Sequence, residues 1–440
     1  MNPRTQLRQG RYTAARHLPV YPLQLLMGSF HAAVAAADPA HILPPHLPHP
    51  PRGRTLVVGG GKAAAAMTKA VEDHWPGDAP LSGLVVTRYR HSLPTRRIEV
   101  VEASHPLPDG RGAEAAARML ENIATLGPED RLLVLLSGGG SSLLALPVNG
   151  VSLRELRAVT KTLLACGAPI QAINTVRKHL TLFSGGQVAG LSRAVVTALI
   201  LSDVVGDDPT HIASGAAAPD PSTYADAIAL LEHYGISPPT SVSAHLQRGV
   251  HGDIPDTPKP GDSVFARTRN IIIGNAKQSL AVAAAFLEKQ GVHVINLGEV
   301  EGESREVAGA HAQHIRMLTG AGTPRPFALL SGGETRVIVR NLSGHGGRNT
   351  EYLLALGIAS EDIENVWGLA CDTDGFDGTD DNAGALWTPD SLEKAHALGL
   401  KEEDALQANN AYGFFQALDD LVFTGPTRTN VNDFRLILMA

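Results

Sequence analysis

From residue 54 onward the chain alternates short apolar runs with longer stretches whose apolar positions recur at helical spacing. Ten runs predict strands: TLVVGG at 55–60, LSGLVVT at 81–87, IEVVEA at 98–103, RLLVLLSGG at 131–139 and AVVTALILSD at 194–203, then NIIIGN at 270–275, VHVINLG at 292–298, FALLSGGE at 327–334, NVWGLACDTDG at 365–375 and FRLILM at 434–439. Alanine- and leucine-rich segments such as GAEAAARMLENIATL and AKQSLAVAAAFLEKQG lie between them and predict helices. Near-continuous apolar strands separated by helices predict an α/β protein with parallel-rich sheets flanked by helices. Ahead of this pattern, 22–37 has helical spacing, and the proline-rich DPAHILPPHLPHPPRGR that follows reads as a helix-free connector. Its His41, His46 and His49, in a proline-stiffened loop without a thiolate or an acidic cluster, read as exposed side chains rather than metal ligands. The stretch 236–263, rich in Pro, Ser, Gly and Asp, reads as a domain boundary or a long surface excursion.

At 440 residues the chain exceeds what one hydrophobic core usually supports, so two domains are expected, at 20–245 and 264–440, with the last helix and strand free to return to the first. The 45 glycines and 5% aromatic residues suit an enzyme with many tight loops. A net charge of −7 gives no basic surface for nucleic acid. Cys166 and Cys371 stand alone, so two reduced thiols and a cytoplasmic setting are expected rather than a disulfide framework or a thiolate metal site. No apolar run approaches the ~20 residues of a membrane span. The arginine-bearing first twenty residues read as a solvated leader rather than a transit peptide.

Chemistry collects where strands end. VVGGGKAAAA places Gly59, Gly60, Gly61 and Lys62 at a strand–helix turn, where amides and a helix dipole suit an anion. It is not a P-loop, because Ala63 follows the lysine and the glycine spacing fails. Gly59-x-Gly61-x-x-Ala64 fits the dinucleotide pattern, but the next strand ends VVTRYR without the acid that holds a ribose. Ser137, Gly138, Gly139, Gly140, Ser141 and Ser142 form a second candidate cradle with hydroxyl donors. Ser331, Gly332, Gly333 and Glu334 form a third, leading to Arg348, whose guanidinium fits a phosphoryl group. Two further ends are acidic: Asp203, Asp207 and Asp208, then Asp372, Asp374 and Asp377 followed by Asp380 and Asp381. Such acids suit either Mg²⁺ or a base taking a hydroxyl proton, and Asp380 and Asp381 read as turn residues. Cradles, two cations and acids together point to phosphoryl transfer, which rests on positioning and charge neutralisation. No G-x-S-x-G elbow supports a serine hydrolase.

At these same loops the sequence resembles the type II glycerate 2-kinases, whose members often carry a hydroxypyruvate reductase label. The resemblance rests on GGGKAA, SHPLPD (104–109), LLSGGGSSLLALP, INTVRKHL (173–180), SDVVGDDPTHIASGAAAPDPST (202–223), GNAKQSL, LSGGET with GGRNTE, CDTDGFDG and GPTRTNVNDF (425–434). It implies a Rossmann-like glycerate-kinase domain, a smaller α/β MOFRL domain and a cleft between them that uses ATP and Mg²⁺ to phosphorylate D-glycerate at its 2-hydroxyl. Lys62 and Arg348 would flank the phosphoryl group, Asp203 or Asp207 would be the nearby acid, and Gly60, Gly61, the 137–142 loop, Asn275 and the 331–334 loop would hold substrate or nucleotide. Asp372 and Asp374 would serve the metal. A homodimer is compatible with this reading and not required by it.

Two departures stand out. Arg428 occupies a position where the family commonly has glycine, and FSGGQ (183–187) lacks the basic residues that often flank its glycine pair. The competing readings are an NADPH-dependent hydroxypyruvate reductase and a non-catalytic sugar-acid or nucleotide-binding protein.

Overall fold

A computed structural model describes residues 21–440. The leader 1–20 lies outside the described residues. The chain divides into two compact units. One comprises Ala37–Asn275 with Arg428–Val431; the other comprises the described residues through Ala36, Ala276–Thr427 and Asn432–Ala440.

The first unit is built on a six-stranded, wholly parallel sheet: β1 (Thr55–Gly60), β2 (Leu81–Arg88), β3 (Ile98–Ala103), β4 (Arg131–Leu136), β5 (Val195–Leu201) and β6 (Thr268–Gly274). The order β3-β2-β1-β4-β5-β6 makes the chain wind outward in both directions from β1 and β4. All of β1 is buried, and Leu56, Val58, Leu132, Val134, Val196 and Ala198 share one core with Ala115, Met119 and Ile123 of the Gly110–Ala124 helix. A second cluster joins the helices Leu153–Ala165, Ile170–Lys178, Tyr224–His233 and Thr240–Val250.

The second unit has a six-stranded mixed sheet: β7 (His293–Glu299), β9 (Phe327–Gly332), β11 (Val366–Asp372), β12 (Gly384–Trp387), β13 (Leu421–Val422) and β14 (Asp433–Met439), in the order β13-β12-β11-β14-β9-β7. Beside it, β8 (Gly302–Glu303) and β10 (Thr335–Arg336) form a small parallel pair. Only β7 and β9 run parallel in the larger sheet; β14, the final strand, lies antiparallel between β9 and β11. The expectation of parallel strands therefore holds for the first sheet and not the second. A continuous apolar run reports burial on both faces, and β14 is buried on both without being parallel. Phe434, Leu436 and Leu438 pack against Leu25, Leu26 and Phe30 of the Pro22–Ala35 helix, while Ile437 and Met439 face the opposite core.

Three local expectations change. The N-terminal helix belongs to the mixed-sheet unit, and β14 and the Ala411–Leu418 helix stay there instead of returning to the first; among the residues that follow this helix, the segment Arg428–Val431 counts with the parallel-sheet unit. The proline-rich connector forms one-turn helices at Pro39–Ile42 and Pro44–His46, since proline at a first helical position needs no amide partner, and Asp38 caps the first. The segment read as a boundary carries the Thr240–Val250 helix and lies wholly inside the parallel-sheet unit. Among the described residues no helix is long and apolar enough to cross a membrane, and both cysteines are free thiols.

Candidate active site

In the parallel-sheet unit, the strand order reverses between β1 and β4, so the loops that follow them stand side by side, where open α/β sheets bind ligands. The approach is close. Gly61 has φ +142°, and a Cβ there would stand 2.1 Å from Ser137 Oγ, so no side chain fits. The Gly61 N–H donates to Val86 O, the Lys62 N–H to Gly138 O at 2.8 Å, and the Ala63 N–H to Ser137 Oγ at 3.0 Å. The Gly60 carbonyl accepts from the Ser137 N–H at 3.3 Å. Of the amides in this turn, read from the sequence as an anion cradle, that of Gly61 is spent on β2 and those of Lys62 and Ala63 tie the two loops together. The same contact explains the glycine pattern without a dinucleotide. What the turn presents is Lys62, half-buried beside Gly139 and His105.

Gly138 is the second forced glycine: a Cβ there would lie 2.0 Å from both Asp203 Oδ2 and Asn430 Nδ2. The Asn430 amide donates to that Asp203 oxygen at 3.1 Å, fixing the carboxylate beside the loop. Asp207 is turned elsewhere, accepting from Asn275 Nδ2 at 2.6 Å. Within the loop, Gly140 N–H donates to Ser137 O and Ser142 Oγ to Gly139 O, while the Ser141 hydroxyl accepts from the buried Ser214 Oγ at 2.8 Å. Ser214 and its neighbour Ala213 are left-handed, at φ 53° and 48°. Non-glycine residues rarely hold this conformation without support. Support comes from the FSGGQ loop, where the Gly185 and Gly186 amides donate to Ser214 O (2.9 Å) and Gly215 O (2.7 Å). Asn174 adds its amide to His211 O at 3.2 Å and its oxygen 3.1 Å from Ser214 Oγ. The missing basic residues of FSGGQ are thus no loss to its role here, which is carried by backbone.

The mixed-sheet unit gathers charge instead. Arg348 opens the Arg348–Ala359 helix and donates Nε to Asp433 Oδ1 (2.8 Å), Nη1 to Glu334 Oε1 (2.6 Å) and Nη2 to Asp372 Oδ2 (2.8 Å). Burial alone would lower its pKa, but the Asp433, Glu334 and Asp372 carboxylates drive it well above the usual arginine value. Three of its five N–H groups are thereby spent and two remain. Asp433, fully buried, also accepts from Asn349 Nδ2 and Arg435 Nη1. Ser331, Gly332 and Gly333, expected as a third cradle, serve this cluster: Arg435 donates to Ser331 Oγ and Gly332 O, and the Asp433 N–H to Gly333 O. Asp377 caps the Arg348–Ala359 helix by accepting the Asn349 (2.9 Å) and Thr350 (2.8 Å) amides; burial nevertheless pushes its carboxyl up to about 6.

The two expected metal acids are partly committed. Asp372 gives one oxygen to Arg348 and the other to the Asp374 N–H at 2.9 Å, and Asp374 Oδ1 accepts the Phe376 N–H in an Asx turn. Among the described residues no three His, Cys, Asp or Glu side chains are grouped to hold a metal, the connector histidines included. Mg²⁺ brought on a polyphosphate needs only one or two protein carboxylates, which this loop can supply. His105, Asn174, Ser214, Asn430 and Asp433 were not singled out by sequence reasoning. Each sits inside a motif quoted above, but asparagine and serine there look no different from turn residues.

The chain matches two family models: a domain of unknown function, DUF4147, over residues 25–247, and the MOFRL family over residues 327–433. It is 46% identical to an Agrobacterium vitis protein provisionally named a hydroxypyruvate reductase, over 94% of each chain. It is 38% identical to the D-glycerate 2-kinase of Thermotoga maritima, over 91% of this chain and 94% of that one. The crystal structure of a glycerate kinase from Thermotoga maritima superposes with a TM-score of 0.82 at 37% identity, covering 95% of this chain and 99% of the other.

Proposed function

The chain belongs to the glycerate 2-kinase family that joins a DUF4147 domain to a MOFRL domain, and we propose that it transfers the γ-phosphoryl group of ATP to the 2-hydroxyl of D-glycerate. The observation that carries this reading is the likeness to the Thermotoga D-glycerate 2-kinase across nearly the whole of both chains. In this reaction the substrate oxygen forms a bond to the γ-phosphorus, the bond from that phosphorus to the β–γ bridging oxygen breaks, and ADP leaves with the electron pair. The hydroxyl proton goes to a base, for which Asp203, oriented by Asn430 beside the Gly138 loop, is our assignment. Lys62 supplies a point charge for phosphate oxygens, and Arg348 has two N–H groups left for the same work. Asp374 is the acid we assign to a Mg²⁺ carried by ATP, since both oxygens of Asp372 are engaged, and the ion would supply charge neutralisation at the phosphates. We also place the enzyme in the cytoplasm, where its two free thiols stay reduced.

The reductase reading rests on the name of the Agrobacterium relative. Against it, the Gly61 turn spends its amides on Val86 and the Ser137 loop, where a pyrophosphate would have to approach. The deciding assay gives the purified protein either D-glycerate with Mg-ATP or hydroxypyruvate with NADPH. The expected result is glycerate-dependent ADP release with 2-phosphoglycerate identified by ³¹P NMR. NADPH oxidation without ADP release overturns the kinase reading, and ligand binding without turnover in either mixture favours a sensor.

A further inference from the structure

Arg177 lies on the Ile170–Lys178 helix, inside one of the motifs but outside every role assigned so far. At 100° per residue it projects between Ile173 and Asn174, at the middle of the arc on which Ala172, Ile173, Asn174, Val176 and Lys178 are buried. Its side chain is therefore directed inward from a half-buried position. Both flanks of that arc lead to one segment. Asn174 bonds His211 O and reaches Ser214 Oγ, which touches Ser141 of the glycine–serine loop. On the other side Lys178 pairs with Asp220 at 3.2 Å, both fully buried.

Among the described residues the Arg177 side chain has no ion pair, hydrogen bond or ring contact. Asp220 is already answered by Lys178, Ser222 and Thr257. Burial draws the Arg177 pKa down to about 10, with no carboxylate opposing it. By contrast, Lys178 is matched by Asp220, Arg348 by three acids and Arg435 by Asp433. The planar fork of a guanidinium suits a carboxylate held through two parallel bonds.

We propose that Arg177 binds the carboxylate of the hydroxy-acid substrate, with the Ser141 and Ser214 hydroxyls beside it. The assignment rests on the kinase reading for its substrate and on the fold for its position. The test is steady-state kinetics of Arg177→Met and Arg177→Lys with D-glycerate and Mg-ATP. Arg177→Met should raise the KM for glycerate about 10- to 100-fold, as loss of a charged hydrogen-bonded pair does, while the KM for ATP and the kcat change by less than about threefold. Arg177→Lys, which keeps the charge without the fork, should fall between. An unchanged glycerate KM overturns the proposal, as does a rise confined to the ATP KM. A second measurement is independent of turnover: D-glycerate and L-lactate should raise the melting temperature of the wild-type protein, and neutral glycerol at the same concentration should not. That carboxylate-dependent shift should vanish in Arg177→Met. If it vanishes while the wild type shows no kinase activity, the carboxylate site stands and the kinase reading falls; if both proteins shift equally, or the wild type does not shift, Arg177 is not the carboxylate site.

Discussion

The two units treat glycine-rich strand ends in opposite ways. In the parallel-sheet unit, the Gly61 and Gly138 turns interlock through backbone, and the side chains gathered around them are Lys62, Asp203 with Asn430, and Ser141 with Ser214. In the mixed-sheet unit, the loop 331–334 feeds a closed network in which Arg348 and Arg435 are matched by Glu334, Asp372 and Asp433. The sequence signal was the same in both places: serine and glycine after a buried strand. What separates them is the surrounding charge. Three acids converge on Arg348, two of them buried, and buried acids must be neutralised before the cation can serve a ligand. Arg348 therefore has a structural part besides the chemical one proposed for it.

That contrast breaks most visibly at Arg348. Arg348→Ala removes the partner of Asp433 and Asp372, whose side chains are 0% and 4% exposed. Stripping one member from a buried pair costs about 3–5 kcal/mol, so denaturant unfolding should show a loss of that order together with loss of turnover. A folded, fully stable Arg348→Ala protein would show that the acids are satisfied without it. Lys62→Ala is the counterpart. It should lower kcat by roughly 10²–10³ through lost charge stabilisation of the transferring group, with a smaller shift of the unfolding midpoint than Arg348→Ala. If Lys62→Ala destabilised the protein as much as Arg348→Ala, the distinction between the two units would collapse.

The fold was largely legible because burial writes itself into the sequence. All ten apolar runs became strands, trimmed by a few residues at ends such as 137–139, where β4 gives way to the loop. The strands that went unread are short: β8, β10, β12 and β13 have four residues or fewer. Direction was not legible in the second sheet, since Phe434 to Met439 is buried on both faces whichever way its neighbours run. At the site, Lys62, Asp203 and Arg348 could be read from residue type and loop position. Their roles depended on partners far along the chain: Asn430 is 227 residues from Asp203, and Asp433 is 85 from Arg348. No local pattern announces such a pairing, and none distinguishes an amide that binds a ligand from the Lys62 amide, which binds Gly138.

Arg428 gives the smallest effect and tests the quieter unit. It sits in the left-handed region at φ 61°, as the family's glycine would, and its Nε is buried with no hydrogen-bond partner among the described residues. A non-glycine residue there costs about 1–2 kcal/mol, part of which a glycine gives back as greater chain entropy in the unfolded state, about 0.5–1 kcal/mol. Arg428→Gly should therefore stabilise the protein by about 1 kcal/mol or less, raising its melting temperature by a few degrees at most. Asn430 lies two residues on and holds Asp203, so the kinetic constants are the sharper reading. With strain as the whole effect, the KM for glycerate and for ATP stays constant while the melting temperature rises. A KM that climbs instead would make Arg428 a ligand contact alongside the proposed Lys62 and Arg177, and would explain why the chain tolerates arginine where the backbone favours glycine.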